Sequence, residues 1–402
     1  MLVVTLEHAI AAPFCTRQLA DLGARVIKVE RPGEGDFARA YDSRAHGSAS
    51  HFVWCNRSKE SLTLDLKHPA ARAVLQKLVE RADVLVQNLA PGASARMGLD
   101  HASLAPVNPG IVVCDISGYG DGGPYTEKKA YDLLIQSEAG FVSVTGTPEQ
   151  PSKAGLSIAD IAAGMYAYSS VLAALLERGR TGRGQRLEIS MLEAMSEWMG
   201  FPLYYTLDGQ PPPPRAGASH AAIYPYGPFT CGDGKQVVLA VQHDREWTTF
   251  CDKVLQLPDL TAQYLGNANR LAQREKLRGI IEGVCATLTA AQLVERLDAA
   301  QIANGQLNEM ADLWKHPQLA ARGRWTEIGS HQKARRKVSD TSAELTEALA
   351  KIFAEIDRLE KTKLNVRRNT LIDELYQWPL TAAAACALLA VVLGQTLLRR
   401  NP

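Results

Sequence analysis

The stretch SIADIAAGMYAYSSVLAALLERGRTGRGQ, residues 157–185, reads as a helix of Ala, Leu, Met and Tyr that carries a carboxylate, Asp160, in its first turn. A carboxylate there has two uses. It can cap the helix by accepting bonds from unpaired backbone N–H groups. It can also act as a nucleophile that forms a covalent intermediate, because the positive end of the helix dipole favours its ionised form by roughly 0.3–1 kcal/mol. Local sequence leaves both open. A second motif, Gly118, Gly120 and Gly123 in ISGYGDGGPYTEK, matches the spacing G-x-G-x-x-G, with Glu138 further along. That spacing after a strand is the dinucleotide fingerprint. Here Pro124 follows the third glycine and helical pattern resumes only around Glu127. The segment therefore reads as a glycine-rich loop at the carboxyl end of a strand, the end of an open α/β sheet where ligands bind. The seven cysteines form no CxxC pair, and no histidines cluster at ligand spacing. Neither a zinc site nor a disulfide framework is predicted, and a reducing compartment is expected.

The elements that must position these residues alternate along the N-terminal half. LVVTLEH, the helix APFCTRQLADLGA and RVIKVERP read as strand, crossover helix and parallel strand, and SLTLDL, DVLVQNL and IVVCDISG repeat the theme with helices such as PAARAVLQKLVERA between them. That alternation predicts an open α/β sheet. DGQPPPPRAGASHAA is a Pro-rich linker stiffened by four consecutive prolines. Beyond it PYGPFTCGDGKQVVLAV predicts a hairpin around GDGK, and the helices DREWTTFCDKVLQ and TAAQLVERLDAAQ complete a smaller α+β domain. At 402 residues and 46% apolar, the chain can bury two cores. A formal charge of +1 supplies no field for nucleic acid, so any bound anion must be held by local Lys and Arg.

The termini differ. MLVVTLEHAIAAPFC has no basic segment ahead of its apolar run, so no signal peptide is expected. Residues 378–398 carry no charge and approach the length of one membrane span; a buried Ala-rich helix is the alternative. Before them Leu345, Leu349, Ile352, Ile356 and Leu359 form a heptad row on a charged helix, opened by Thr341 and Glu344 at capping-box spacing. Lys361, Lys363, Arg367 and Arg368 flank the apolar tail on its N-terminal side, which would keep the bulk of the protein cytoplasmic and anchored to the inner membrane by that tail. The expected organisation is a large Rossmann-like domain at 1–207, a linker at 208–224, a small domain at 225–328, a charged heptad helix at 329–377 and a candidate transmembrane helix at 378–398.

The segments LEHAIAAPFCTRQLADLGARVIKVERPGEGDFAR, NRSKESLTLDLKHP, ADVLVQNLAPGASARMGL, NPGIVVCDISGYGDGGPY, KKAYDLLIQSEAG and the Asp160 helix occur in this order. Together they resemble the family III CoA-transferases, the group that includes formyl-CoA:oxalate and carnitine CoA-transferases and the α-methylacyl-CoA racemases, from residue 1 to about 328. The resemblance implies a Rossmann-like large domain, a small domain and a homodimer of interlocked rings. It implies that Asp160 attacks an acyl-CoA thioester, through an aspartyl anhydride and then an aspartyl-CoA thioester. By the same resemblance, Arg31, Asn88, Arg96, Lys129 and Tyr131 match positions that hold the CoA nucleotide and pantetheine, and Leu64 to Lys67 match a segment that borders the adenine. CoA is then a substrate rather than a resident cofactor, and acyl exchange calls for no metal.

Racemase members carry a His before the Asp of the YDLL segment, where this chain has Tyr131. A phenol with pKa near 10 is a poor base at neutral pH, so CoA transfer is favoured over racemisation. RAGASHAAIYPYGPF replaces the glycine-run loop of formyl-CoA transferases and looks closer to branches that act on succinate, itaconate, mesaconate, malate or glutarate, with succinyl-CoA or a similar dicarboxylyl-CoA as donor. Arg215 and His220 in it could pair with a distal carboxylate, or serve as a linker charge and a turn histidine. After RGRWTEIGS the family continuation that crosses back to the large domain is replaced by HQKARRKV, the heptad row and the apolar tail. The alternative function is a fused chain that attaches to membranes and pairs helices without transferase activity.

Overall fold

The computed structural model describes residues 1–325. Six short strands form one sheet: β1 (Leu2–Leu6), β2 (Arg25–Glu30), β3 (Glu60–Thr63), β4 (Val84–Gln87), β5 (Val112–Ser117) and β6 (Arg186–Ser190). All pairs are parallel, in the order β3-β2-β1-β4-β5-β6. The central strands are buried along their length, as a sheet covered on both faces requires. The order reverses between β1 and β4, which is where a doubly wound sheet opens a crevice at its carboxyl edge. Five of the strands are those expected from sequence. The sixth, RLEIS, follows the Asp160 helix directly and alternates charged with apolar residues as an edge strand does.

The expected hairpin forms from β7 (Tyr226–Thr230) and β8 (Gln236–Ala240), and β9 (Ala303–Gln306) adds a third antiparallel strand. ANGQ carries no β-branched or aromatic residue, so propensity gave no signal for it. This sheet has its own core, with Trp247, Phe250, Tyr264 and Leu293 all fully buried. The Ala290–Ala299 helix opens with a capping box between Thr289 and Gln292.

The helix Ile158–Thr181 is 24 residues long and sits in the core of the large sheet. Ala159, Ala162, Ala163, Ala167, Val171 and Ala174 form its buried stripe at helical spacing. Such small side chains let it lie close against the helix Ala11–Asp21. At Gly164 a Cβ would come within 2.7 Å of the Ala11 carbonyl oxygen and 3.1 Å of the Phe14 ring. Glycine is therefore what allows the two helices to touch. Among the described residues this is the one helix long and apolar enough to cross a membrane, and its small-residue stripe is buried inside the protein instead. The heptad helix expected at 329–377 and the span expected at 378–398 lie outside the described residues. The six described cysteines are buried free thiols.

Candidate active site

Asp160 does not cap its own helix. The N-cap is Ser157, whose side chain makes no capping bond. Asp132, at the start of the helix Asp132–Glu138, reaches across and takes that role: its Oδ1 accepts from the backbone N–H of Ala159 at 2.8 Å and of Asp160 at 3.2 Å. Its Oδ2 accepts from Gln136 Nε2 at 2.5 Å. The orphan donors of the helix start are thus satisfied by a neighbour, which leaves the Asp160 carboxylate available for other work.

Burial and the Asp132 charge push the Asp160 carboxyl up to about 7, and the backbone N–H of Ala11 acts in the opposite sense. Ala11 opens the first helix, so the carboxylate lies at two helix N-termini, its own and that of Ala11–Asp21. Desolvation and a like charge disfavour the ionised form, and the N–H restores part of it. A carboxylate poised near neutrality and only partly solvated is a stronger nucleophile than an ordinary surface aspartate.

The loop that presents Ala11 is held at successive residues. Asn88, just past β4, accepts from the His8 N–H at 2.9 Å and donates to the His8 carbonyl at 3.0 Å. Asp36 accepts from the Ala9 N–H at 3.1 Å, and Ala9 has a left-handed φ of 59°. Alanine in that region costs roughly 1–3 kcal/mol unless its surroundings impose it. Strain of this kind beside a reactive group is a feature of sites rather than of scaffold turns.

On the other side of the loop lies a cavity of about 480 Å³ at the carboxyl ends of β1, β2, β3 and β4, at the topological switch of the sheet. Arg31, Leu64, Lys67 and Arg96, all singled out from sequence, line it, together with His8 and Arg72. Its volume suits a small-molecule ligand. Burial would raise the Glu30 carboxyl, yet bonds from Arg39, Ser61 and the Asp36 N–H hold it down at about 2. Arg39 is its ion partner at 2.7 Å. With that anion neutralised and Arg31 paired with Glu34 at 3.3 Å, the cations Lys67, Arg72 and Arg96 still outweigh Asp65, the other acid on the wall. Phosphates are the ligands such a set recognises, because bonds from guanidinium or ammonium to phosphate are about twice as strong as neutral ones. Arg72 carried no signal in the sequence; its guanidinium is aimed by the carbonyls of Leu66 at 2.7 Å and Lys67 at 3.4 Å.

A row of rings leads away from the cavity wall. His8 stacks on Phe37 at 5.5 Å and Phe37 meets Tyr41 at 5.9 Å. Burial raises the Tyr41 phenol, as do the charges of Asp36, Asp160 and Tyr131, so Tyr41 stands in the field of Asp160. Burial lowers the His8 imidazole, keeping it neutral, and its Nδ1 has no protein partner. His8, Tyr41 and Asp132 escaped the sequence reading because each is an ordinary residue until the fold brings it to Asp160.

The remaining predicted residues divide. Tyr131, 67% exposed, and Lys129, also exposed, precede the Asp132 helix and do not line the cavity. The Asn88 side chain is committed to the His8 backbone rather than to the cavity. Arg215 donates to the carbonyls of Thr147, Ser143 and Pro148 at 2.9, 3.2 and 2.7 Å. His220 stacks on Tyr226 at 5.2 Å, and its Nδ1 accepts from the Ala222 N–H at 3.0 Å. Both make the structural contacts of a linker charge and a turn histidine. The Gly118–Gly123 loop follows β5, and no helix opens within it; the turn after β1, where a dinucleotide fingerprint belongs, reads Glu7-His8-Ala9-Ile10. Gly118 is needed for packing, since a Cβ would lie 2.2 Å from that of Ala130.

Residues 1–355 match the family model of CoA-transferase family III. The match runs past the boundary near 328 that the sequence reading placed on the resemblance. Succinate–glutarate CoA-transferase of Agrobacterium fabrum is 32% identical over 385 residues, covering 90% of this chain and 96% of its own. Acetyl-CoA:oxalate CoA-transferase of Acetobacter aceti is also 32% identical, over 80% of this chain and 83% of its own. The crystal structure of a CaiB/BaiF family protein from Brucella suis superposes with a TM-score of 0.73 at 33% identity, covering 89% of this chain and 98% of that one.

Proposed function

Because the chain belongs to CoA-transferase family III, we propose that it carries CoA from succinyl-CoA or a similar dicarboxylyl-CoA to a second dicarboxylate, with Asp160 as the nucleophile. The observation that carries this reading is the placement of Asp160: Asp132 takes over the capping of its helix, and burial raises its carboxyl to about 7, in a fold whose sheet opens a cationic cavity at its carboxyl edge.

The steps balance as follows. The ionised Asp160 oxygen attacks the thioester carbon of the donor; the C–S bond breaks, CoA leaves as thiolate and an aspartyl anhydride remains. The thiolate attacks the aspartyl carbonyl carbon, forming an aspartyl-CoA thioester and releasing the donor acid as carboxylate. The acceptor carboxylate then attacks that thioester, giving a second anhydride and thiolate. Attack of the thiolate on the acceptor's acyl carbon yields the new acyl-CoA and restores the Asp160 carboxylate. Each transfer passes through a covalent link that divides one hard exchange into easier ones. The thiolate must stay close between steps, and cations holding the nucleotide end of CoA keep its local concentration high.

Arg31, Lys67, Arg72 and Arg96 hold the phosphates of CoA, Leu64 borders its adenine, and Lys129 and Tyr131 approach from the Asp132 side when substrate is bound. Asn88 acts through the His8 backbone as a positioning residue. Arg215 and His220 keep the loop shape rather than bind the acceptor. Tyr131 at the racemase base position supports transfer over racemisation. The equal identities of the glutarate and oxalate enzymes do not separate acceptors, and the replacement of the glycine-run loop favours the longer acid. The working unit is a homodimer, whose partner would cover exposed Trp198, Phe201, Leu203 and Tyr204; light scattering giving a monomer at micromolar concentration would remove that part.

The test is CoA exchange from succinyl-CoA to a panel of dicarboxylates, with Asp160→Ala as control. Exchange with glutarate or a similar acid, abolished in the variant, is expected. Exchange that survives Asp160→Ala removes the assigned nucleophile.

A further inference from the structure

Gln136 is fully buried in the helix Asp132–Glu138 and does not line the cavity. Both ends of its amide are used. Nε2 donates to Asp132 Oδ2 at 2.5 Å, and Oε1 accepts from the Ala154 N–H at 2.9 Å. A backbone N–H can only donate and a carboxylate can only accept, so one orientation of the amide satisfies both. Glutamate, leucine or methionine in this place would leave at least one of the two groups without its partner, and an unpaired buried group is costly.

The two bonds bracket the approach to Asp160. Asp132 Oδ1 accepts from the N–H groups of Ala159 and Asp160 at 2.8 and 3.2 Å. Gln136 therefore grips the first turn of the Asp160 helix through Asp132, and grips the chain ahead of it directly at Ala154. The segment between is irregular, with Gly155 and Leu156 exposed, so it has no regular structure of its own to place the helix start. A carboxylate held at one oxygen can still turn about its last side-chain bond. With Oδ2 tied to Gln136 and Oδ1 shared by two N–H groups, Asp132 is held at both. A satisfied buried amide often serves the fold alone; this one ends on the group that caps the helix of a reactive acid and on the length of chain that delivers it.

We propose that Gln136 is a positioning residue for the reaction: it fixes the Asp132 carboxylate and the chain at Ala154 against one another, and so sets where the first turn of the Asp160 helix presents its carboxyl group. The inference rests on the reading of Asp160 as nucleophile. Reacting groups must be held closely by side chains that are themselves locked by hydrogen bonds, and Gln136 supplies that lock from a position that meets neither substrate nor Asp160 itself.

The experiment measures kcat and KM for CoA exchange from succinyl-CoA to glutarate above the acid limb, in the wild type and in variants of Gln136. Gln136→Leu fills the same buried space and removes both bonds. It should lower kcat by roughly 10- to 100-fold, the cost of a misplacement of about 1 Å, and leave KM for succinyl-CoA within about twofold, because the cavity walls lie on other elements. Gln136→Glu keeps an oxygen for the Ala154 N–H but offers no donor to Asp132, and it serves if Gln136→Leu does not fold. Adding Asp132→Asn to it restores the bond in reverse, the new amide donating to the new carboxylate while its oxygen still faces the Ala159 N–H. The double variant should recover kcat to within about threefold of Asp132→Asn alone, as two residues acting as one unit require. A kcat unchanged in Gln136→Leu, a loss carried by KM instead, or a double variant no faster than Gln136→Glu overturns the inference while Asp160 remains the nucleophile. Exchange that survives Asp160→Ala, or a wild type that exchanges no CoA, overturns the reading of Asp160 and the inference with it.

Discussion

Replacing Asp160 by Asn should abolish exchange and make the protein more stable at alkaline pH. The carboxyl is raised from its ordinary 3.8 to about 7 in the folded protein. Between those values the folded state holds a proton that the unfolded chain has lost. The stabilising effect of that proton is complete below the unfolded value and disappears as pH rises through the folded one. At 1.36 kcal/mol per unit, ionising Asp160 costs the fold at most ~4 kcal/mol above pH 7, and about 2 kcal/mol once partial solvent access is counted. Asn keeps an acceptor for the Ala11 N–H and never ionises. Urea denaturation of both proteins across pH 4 to 9 should give nearly equal stability at the acid end. The difference should grow between 4 and 7 in favour of Asn, and be constant above. A difference that is flat with pH, or Asn being less stable at pH 8, refutes the raised carboxyl and with it the electrostatic account of the site. Stability given up at a reactive group is the expected exchange between activity and fold.

Three further outcomes follow from particular contacts. Asp132→Asn removes the like charge beside Asp160 while keeping an acceptor for the Ala159 N–H, so the acid limb of kcat should move downward, as a pH–rate profile would show. Arg72→Ala should raise KM for succinyl-CoA about tenfold, the value of one charge-assisted phosphate bond, and leave unchanged the rate with a thioester truncated to remove the nucleotide; equal losses on both substrates would take Arg72 out of phosphate binding. Gly164→Ala would place a Cβ 2.7 Å from the Ala11 carbonyl oxygen. The resulting overpacking, about 1–3 kcal/mol, exceeds the helix-propensity gain of about 1 kcal/mol, so thermal denaturation should show a lower Tm and kcat should fall.

Most of the parallel sheet was legible because its strands are short runs rich in β-branched residues separated by helical pattern, and LVVTL, RVIKVE and VVCDIS carry that signal without help from tertiary contacts. β9 was not, because ANGQ becomes a strand only through its pairing with β8. Asp160 was visible as an acid in an apolar helix, but its freedom from capping was not: Asp132, 28 positions earlier, supplies the cap. Sequence order likewise hides the cavity, whose walls come from the ends of four strands spread between Leu6 and Met97. Arg31, Lys67 and Arg96, expected from the family resemblance, line the cavity, whereas Arg72 lies on a helix face that looks like ordinary solvated surface until the carbonyls of Leu66 and Lys67 orient it. Arg215 is a different case, a cation whose bonds to three backbone carbonyls no sequence pattern announces.

The most direct measurement is to incubate the protein with succinyl-CoA, quench with hydroxylamine and sequence the modified peptide by mass spectrometry. An activated aspartyl carbonyl becomes a hydroxamate, and the label should fall on Asp160 in the peptide that spans residues 154–178, dependent on acyl-CoA. A protein that exchanges CoA at full rate with no label at Asp160, or with the label on another carboxylate, contradicts the account.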